Sequence, residues 1–169
     1  MPQTYTQIAT LNGTGSSNTI TFSSISNTYT DLVLIINATT TTSSTGSITT
    51  RVGTSGTIDT GGNYSGNTQY GNGSTTAVSS VTNATAMPLS SINWASTTSP
   101  FQAEVHYMSY KNTNWYKTIL VKSGNEATAT GLLVNTWRNL GAINTLNIIH
   151  SASNWSTTSI FSLYGITAA

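Results

Sequence analysis

The sequence predicts an all-β chain: an antiparallel β-sandwich, jelly-roll-like, of about eight to ten strands, with residues 1–169 as one domain. Three observations carry this. Only 5% of the residues are charged and 37% are hydrophobic, and Thr, Ser and Asn fill the gap. These residues disfavour helix, because they compete for backbone hydrogen bonds or lose side-chain freedom in a helical turn. Thr, Val, Ile, Tyr and Trp instead suit a pleated, half-buried surface. Clusters of Gly, Ser and Asn then cut the chain into short segments, as in sandwiches and barrels. A net charge of +1 supplies none of the self-repulsion that keeps a polar chain disordered, so folding is expected.

Thr4 to Leu11 reads as a first strand, closed by Asn12-Gly13-Thr14-Gly15. Ile20 and Phe22 alternate with Thr19 and Thr21, giving a second strand with one apolar face. Tyr29 to Ala38 contains Leu32-Val33-Leu34-Ile35-Ile36 and reads as a central strand covered on both faces. Ile48, Thr50 and Val52 mark a weaker strand, with Thr49 and Arg51 outward. Residues 53–76, punctuated by seven glycines from Gly53 to Gly73, read as a long loop of the kind that is usually functional or mobile. Strand structure is expected to resume over Ala77–Val81, followed by a second irregular stretch from Thr82 to Pro100.

In the C-terminal half, Phe101, Ala103, Val105 and Tyr107 face one way and Gln102, Glu104, His106 and Met108 the other. A turn at Asn112-Thr113-Asn114 returns the chain through Trp115, Tyr116, Ile119, Leu120 and Val121 as a hairpin. Ser123-Gly124-Asn125 is expected to make the next turn, and Glu126 to Asn139 to form a strand. In that segment Leu133, Trp137 and Leu140 have helical spacing, but Thr128, Thr130, Gly131 and Thr136 argue against a helix. Ile143–His150 and Ser159–Ile166 supply two more strands. The expected core is Phe22, Leu32, Leu34, Ile36, Val105, Ile119, Val121, Ile148, Phe161 and Leu163.

Several function classes lose support at once. With no cysteine there is no disulfide framework and no thiolate metal site. The opening MPQTYTQIAT has neither a basic segment nor an apolar core, so no secretory signal is expected. The longest apolar run is too short to cross a bilayer as a helix. Five Lys/Arg against four Asp/Glu make no field for a phosphate backbone, so neither nucleic acid nor membrane is an expected partner.

The carboxylates are Asp31, Asp59, Glu104 and Glu126. A general acid–base pair needs two of them in one pocket with separated pKa values, and none neighbours another in sequence. Glu104 reads as lying on a solvated strand face and Asp31 at a strand edge. His106 and His150 read as surface or cross-strand residues rather than metal ligands. Gly61-Gly62-Asn63-Tyr64-Ser65-Gly66 matches no phosphate-binding pattern and no helix start follows it. The expectation is therefore no catalytic residue, no metal and no cofactor. Aromatic side chains are the remaining recognition groups. Trp115 and Trp137 lie in apolar segments and read as core, whereas Tyr64, Tyr70, Trp94 and Trp155 lie in loops and are the candidate partner contacts.

An uncharged all-β chain has unprotected strand edges, which Lys, Pro or inward charge normally blunt. Symmetric assembly would bury them. Beside this, Tyr5-Thr6-Gln7-Ile8-Ala9, Ile20-Thr21-Phe22-Ser23-Ser24-Ile25 and Tyr29-Thr30-Asp31-Leu32-Val33-Leu34 resemble small virion proteins of tailed phages, including those of cyanobacteria. The same pattern includes Gly62-Asn63-Tyr64-Ser65, Tyr70-Gly71-Asn72-Gly73-Ser74, Tyr116-Lys117-Thr118 and the ending Phe161-Ser162-Leu163-Tyr164-Gly165-Ile166. The resemblance implies a non-enzymatic virion part. The expected role is a decoration or cement protein on the head exterior, a homotrimer bound to the major capsid protein through loops 53–76 and 82–100 and the N-terminal segment. A carbohydrate-recognition module of a tail fibre is the alternative, and only there is a glycan an expected ligand.

Overall fold

A computed structural model describes residues 5–90, 92–94, 96–125 and 129–167. Among them the chain forms thirteen strands and no helix. In chain order these are β1 (Tyr5–Asn12), β2 (Thr19–Phe22), β3 (Asp31–Ala38), β4 (Ile48–Thr54), β5 (Thr57–Ile58), β6 (Tyr64–Gly71) and β7 (Thr76–Ala84). There follow β8 (Met87–Pro88), β9 (Phe101–Tyr107), β10 (Lys117–Asn125), β11 (Ala129–Trp137), β12 (Thr145–His150) and β13 (Ile160–Ile166).

An eight-stranded sheet runs in the order β1-β13-β3-β9-β10-β11-β6-β7, and a five-stranded sheet comprises β2-β12-β4-β5 with β8 paired to β4. Every pairing is antiparallel. The sheets share one apolar core: Leu32, Leu34, Ile36, Val105, Ile119, Val121 and Leu163 of the large sheet join Ile20, Phe22, Ile48, Val52, Leu146 and Ile148 of the small one. This is a β-sandwich. A jelly roll divides about eight strands into two Greek keys; here the two sheets are unequal.

Alternation built most of these strands. β9 buries Phe101, Ala103, Val105 and Tyr107 and turns Gln102 and Glu104 to solvent. All ten residues expected in the core are buried. In β3, Val33 is buried on the second face but Ile35 is exposed, so the expected cover on both faces extends over only part of the strand.

Three expectations about the chain's course and core fail here. Residues 53–76 are not a long loop, because the end of β4, all of β5 and β6 and the start of β7 lie within them. Their glycines serve tight geometry instead. Ser55 and Gly56, both at positive φ (54° and 78°), join β4 to β5 in the manner of a two-residue hairpin turn. A Cβ on Gly53 would stand 1.9 Å from the Thr57 carbonyl oxygen. Ser123-Gly124-Asn125 is not a turn but the end of β10, held between β9 and β11. Finally, Trp115 is not core: it lies in the β9–β10 connection, 57% exposed. Glu126, with the start of the strand expected from it, lies outside the described residues.

Candidate functional site

The outer face of the eight-stranded sheet is the broadest feature that the small sheet leaves uncovered. Strand register places Ile35, Glu104, Lys122, Leu132, Gln69 and Val78 in one row across it. The next row runs Val33, His106, Leu120, Val134, Asn67 and Ser80. Charge occupies the middle of this face, where Lys122 Nζ meets Glu104 Oε1 at 3.0 Å, both side chains well exposed. Toward β7 the face becomes uncharged and partly apolar. Val78, Leu132 and Val134 are exposed there, and they line a shallow depression of about 530 Å³ with Asn67, Gln69 and Ser80.

β7 itself is solvated on both sides. Its burial pattern shows no alternation, because the small sheet does not reach over it. At the other end of the sheet, β1 forms the second open edge, interrupted by a register shift between Gln7 and Ala9.

Three of the four aromatic residues expected as partner contacts are interior. Tyr64 is fully buried on β6. Its hydroxyl donates to the Asp59 carbonyl at 2.7 Å and accepts the Val52 N–H at 3.2 Å. Burial pushes its pKa up, so it stays a protonated donor. Trp94 stacks at a tilt on Phe101, with ring centroids 5.8 Å apart. Trp155 meets His150 at 5.5 Å and Phe161 at 5.2 Å, edge to face. Both are enclosed because short antiparallel bridges, Gly46 to Trp94 and Thr40 to Trp155, draw their loops onto the sandwich. A partner has no surface to touch on any of the three. Tyr70 alone is partly accessible, at the end of β6 beside Ala77.

The aromatic surface that exists lies elsewhere. Trp115 and Tyr116 are 57% and 53% exposed at the β9–β10 tip. Asn112 shapes that tip, its Oδ1 accepting the N–H groups of Asn114 at 2.7 Å and Trp115 at 3.3 Å. The signal was in the sequence: Asn-Thr-Asn immediately before the pair puts it in the turn rather than in the strand.

Several titratable groups are committed to the fold. His106 Nε2 lies 3.0 Å from Asp31 Oδ2 across β3 and β9, a pairing that no sequence spacing indicates. The other Asp31 oxygen accepts the Ser109 N–H at 2.6 Å. His150 is fully buried rather than a surface residue. Its Nδ1 accepts the Ser153 N–H at 2.9 Å, which leaves Nε2 to carry the proton and donate to the Trp94 carbonyl at 2.6 Å. Asp59 is partly desolvated, which by itself raises its pKa. Hydrogen bonds from the Trp137 indole at 2.8 Å, Asn63 at 2.9 Å and the Gly61 N–H at 2.9 Å outweigh that and hold it below the usual carboxylate range. Lys117 is buried, with Nζ donating to the Trp115 and Asn139 carbonyls and lying 5.7 Å from the Trp137 ring centroid; burial lowers its pKa. Among the described residues no three His, Asp or Glu side chains converge as metal ligands would.

No family model and no curated protein matches the chain.

Proposed function

We propose that this chain is a structural protein of a tailed-phage particle, a decoration or cement protein that binds the outside of the head lattice and stabilises it. The observation that carries this reading is the combination of an open edge strand, β7, with an adjoining uncharged, partly apolar sheet face. Free monomers normally blunt such an edge with charge or proline, and neither is present from Gly71 through Met87. The resemblance of the strand and turn segments to small virion proteins points the same way. The partner in this reading is the major capsid protein. Several copies of the chain act together, so that individually weak contacts combine at high effective concentration. No reaction is assigned, because the described carboxylates and histidines are all engaged in bonds that serve the fold.

The test is to mix purified protein with heads of the phage that encodes it, stripped of this component, and sediment them. Saturable co-sedimentation at a fixed ratio to the capsid protein, with heads made more resistant to heat, is the expected result. Absence of binding to heads and recovery with tails would overturn it. A tail-fibre module that recognises carbohydrate is favoured by one observation, the exposed Trp115-Tyr116 tip, since adjacent exposed aromatics can stack on sugar rings. Glycan-array binding lost in Trp115→Ala would establish that reading instead.

A further inference from the structure

We propose that β7 is a homodimerisation edge. Two copies pair β7 with β7, antiparallel, about a two-fold axis perpendicular to the sheet at Val78, so that their large sheets become continuous. The inference deepens the reading of the chain as an assembling protein by naming a surface, but it concerns the free protein and needs no phage.

Among the described residues five strands lie at sheet edges, and four are poor templates. β2 has four residues, and β5 and β8 have two each. β1 is broken mid-strand by the register shift at Gln7/Ala9, and bulges are a common device against edge pairing. β7 differs. Its ladder to β6 is regular from Thr76 to Val81, and irregularity enters only beyond that, near Asn83, which sits at a φ of 53°. The usable template is therefore the run Thr76–Val81, of which a register centred on Val78 uses Thr76–Ser80.

The occupant that fits is a second copy. In an antiparallel pair about a perpendicular axis, opposed residues share a sheet face, so only registers symmetric about one residue are allowed. Centring on Val78 opposes Val78 to Val78 and Thr76 to Ser80 on the outer face, and Ala77 to Ser79 on the inner. All are small or β-branched, and none is charged, so no like charges meet. Val78, 76% exposed, is the most exposed large hydrophobic residue among the described residues. Pairing covers it and joins the Val78–Leu132–Val134 patches of the two copies into one strip across the dyad. The gain is one strand edge of main-chain hydrogen bonds plus a modest apolar strip, less than a standard interface, so the expected dissociation constant is about micromolar.

The test is sedimentation equilibrium on the free protein, from about 1 to several hundred μM to bracket that constant. The mass of two chains is expected at the upper end. Val78→Lys opposes like charges at the dyad and should weaken dimerisation at least about tenfold. Its circular dichroism and urea midpoint should not change, because the side chain is already in water. Val78→Cys, in a chain without other cysteines, should oxidise to a disulfide-linked dimer, while the exposed control Leu140→Cys should not. A monomer throughout, a trimer, or a dimer that survives Val78→Lys and fails to cross-link through Val78→Cys would overturn the proposal. So would loss of head binding in Val78→Lys with the free protein monomeric, which would give the edge to the capsid protein.

Discussion

Replacing Trp155 by alanine separates a residue that holds the fold from one that waits for a partner. The Trp155 side chain is fully enclosed and packs edge-on against His150 and Phe161. Its removal withdraws on the order of 200 Å² of buried aromatic surface, equivalent to about 5 kcal/mol at 25 cal/mol per Å². That area conversion is an upper bound, since an unfolded chain already buries part of it. Large-to-small aromatic changes in cores cost about 3–5 kcal/mol. No hydrogen bond is lost with it, because the indole Nε1 has no partner. We therefore expect a loss of about 3–4 kcal/mol, which for a chain of this size lowers Tm by roughly 10 °C. Trp155→Phe keeps the ring contacts and removes the unpartnered N–H, so it should cost less than half as much. Urea unfolding by fluorescence and circular dichroism measures both. A cost below about 1 kcal/mol for Trp155→Ala, typical of surface substitutions, would refute the reasoning and return Trp155 to the partner-contact class.

Other consequences follow from single side chains. Lys117→Met removes a buried ammonium without a carboxylate partner and should leave stability at neutral pH within about 1 kcal/mol of the parent, or above it. Because burial lowers the Lys117 pKa from 10.5 in the fold, the unfolded chain binds more protons between the two values. The parent should therefore gain stability as pH rises toward the unfolded value, and the parent-minus-variant difference in urea midpoint should show that rise. Asp59→Asn should cost about 1–3 kcal/mol at pH 7, where the carboxylate accepts charge-assisted bonds from Trp137 and Asn63. Since its folded pKa lies below 3.8, that contribution is present above the unfolded value and fades as pH falls through the folded one. The two proteins should then converge in acid titrations of unfolding. Gly165→Ala would place a Cβ 2.2 Å from Tyr29 Cγ; the ring must leave Gly165, at a cost of about 1–3 kcal/mol, read from urea unfolding.

Legibility tracked whether a strand's partners lie in its own side chains. β9 and β3 announced themselves because Phe101 to Tyr107 and Leu32 to Ile36 carry the apolar groups that fill the core. β6 did not. Two of its inward positions are Gly66 and Thr68, and glycine is needed at 66 because Asn135 Oδ1 would stand 2.1 Å from a Cβ there. The apolar bulk behind β6 comes from other strands, so its own sequence resembles a loop. The loop aromatics failed for a related reason: Trp94 and Trp155 are held inward by long-range bridges that local sequence does not encode. The same holds for Asp31 and His106, which meet only once β3 pairs with β9. Local turn chemistry was readable but misweighted at Trp115, where Asn112 decided the geometry.

The few charges show where an interaction surface can lie. Asp31 and Asp59 tie together neighbouring strands and turns, and Glu104 pairs with Lys122 across β9 and β10. Arg51 donates to the Thr85 carbonyl, and Arg138 to the Gly62 carbonyl and Asn83 Oδ1. Lys117 is inside. Lys111 is exposed in the β9–β10 connection, but the other charges named here are spent within the sandwich, several of them on the loops that flank β6 and β7. A charge of that kind positions backbone and does not reach toward a partner. What remains for recognition on the β7 side is main-chain edge, hydroxyl, amide and small apolar groups, whose contacts salt screens little. The same arrangement that leaves β7 open also fixes it in place: Arg138, at the end of β11, holds Asn83 beyond β6, so the edge is exposed and yet positioned. An edge already held extended by its ladder to β6 loses less entropy on pairing than an unstructured segment, and that favours association through β7 over association through a flexible loop.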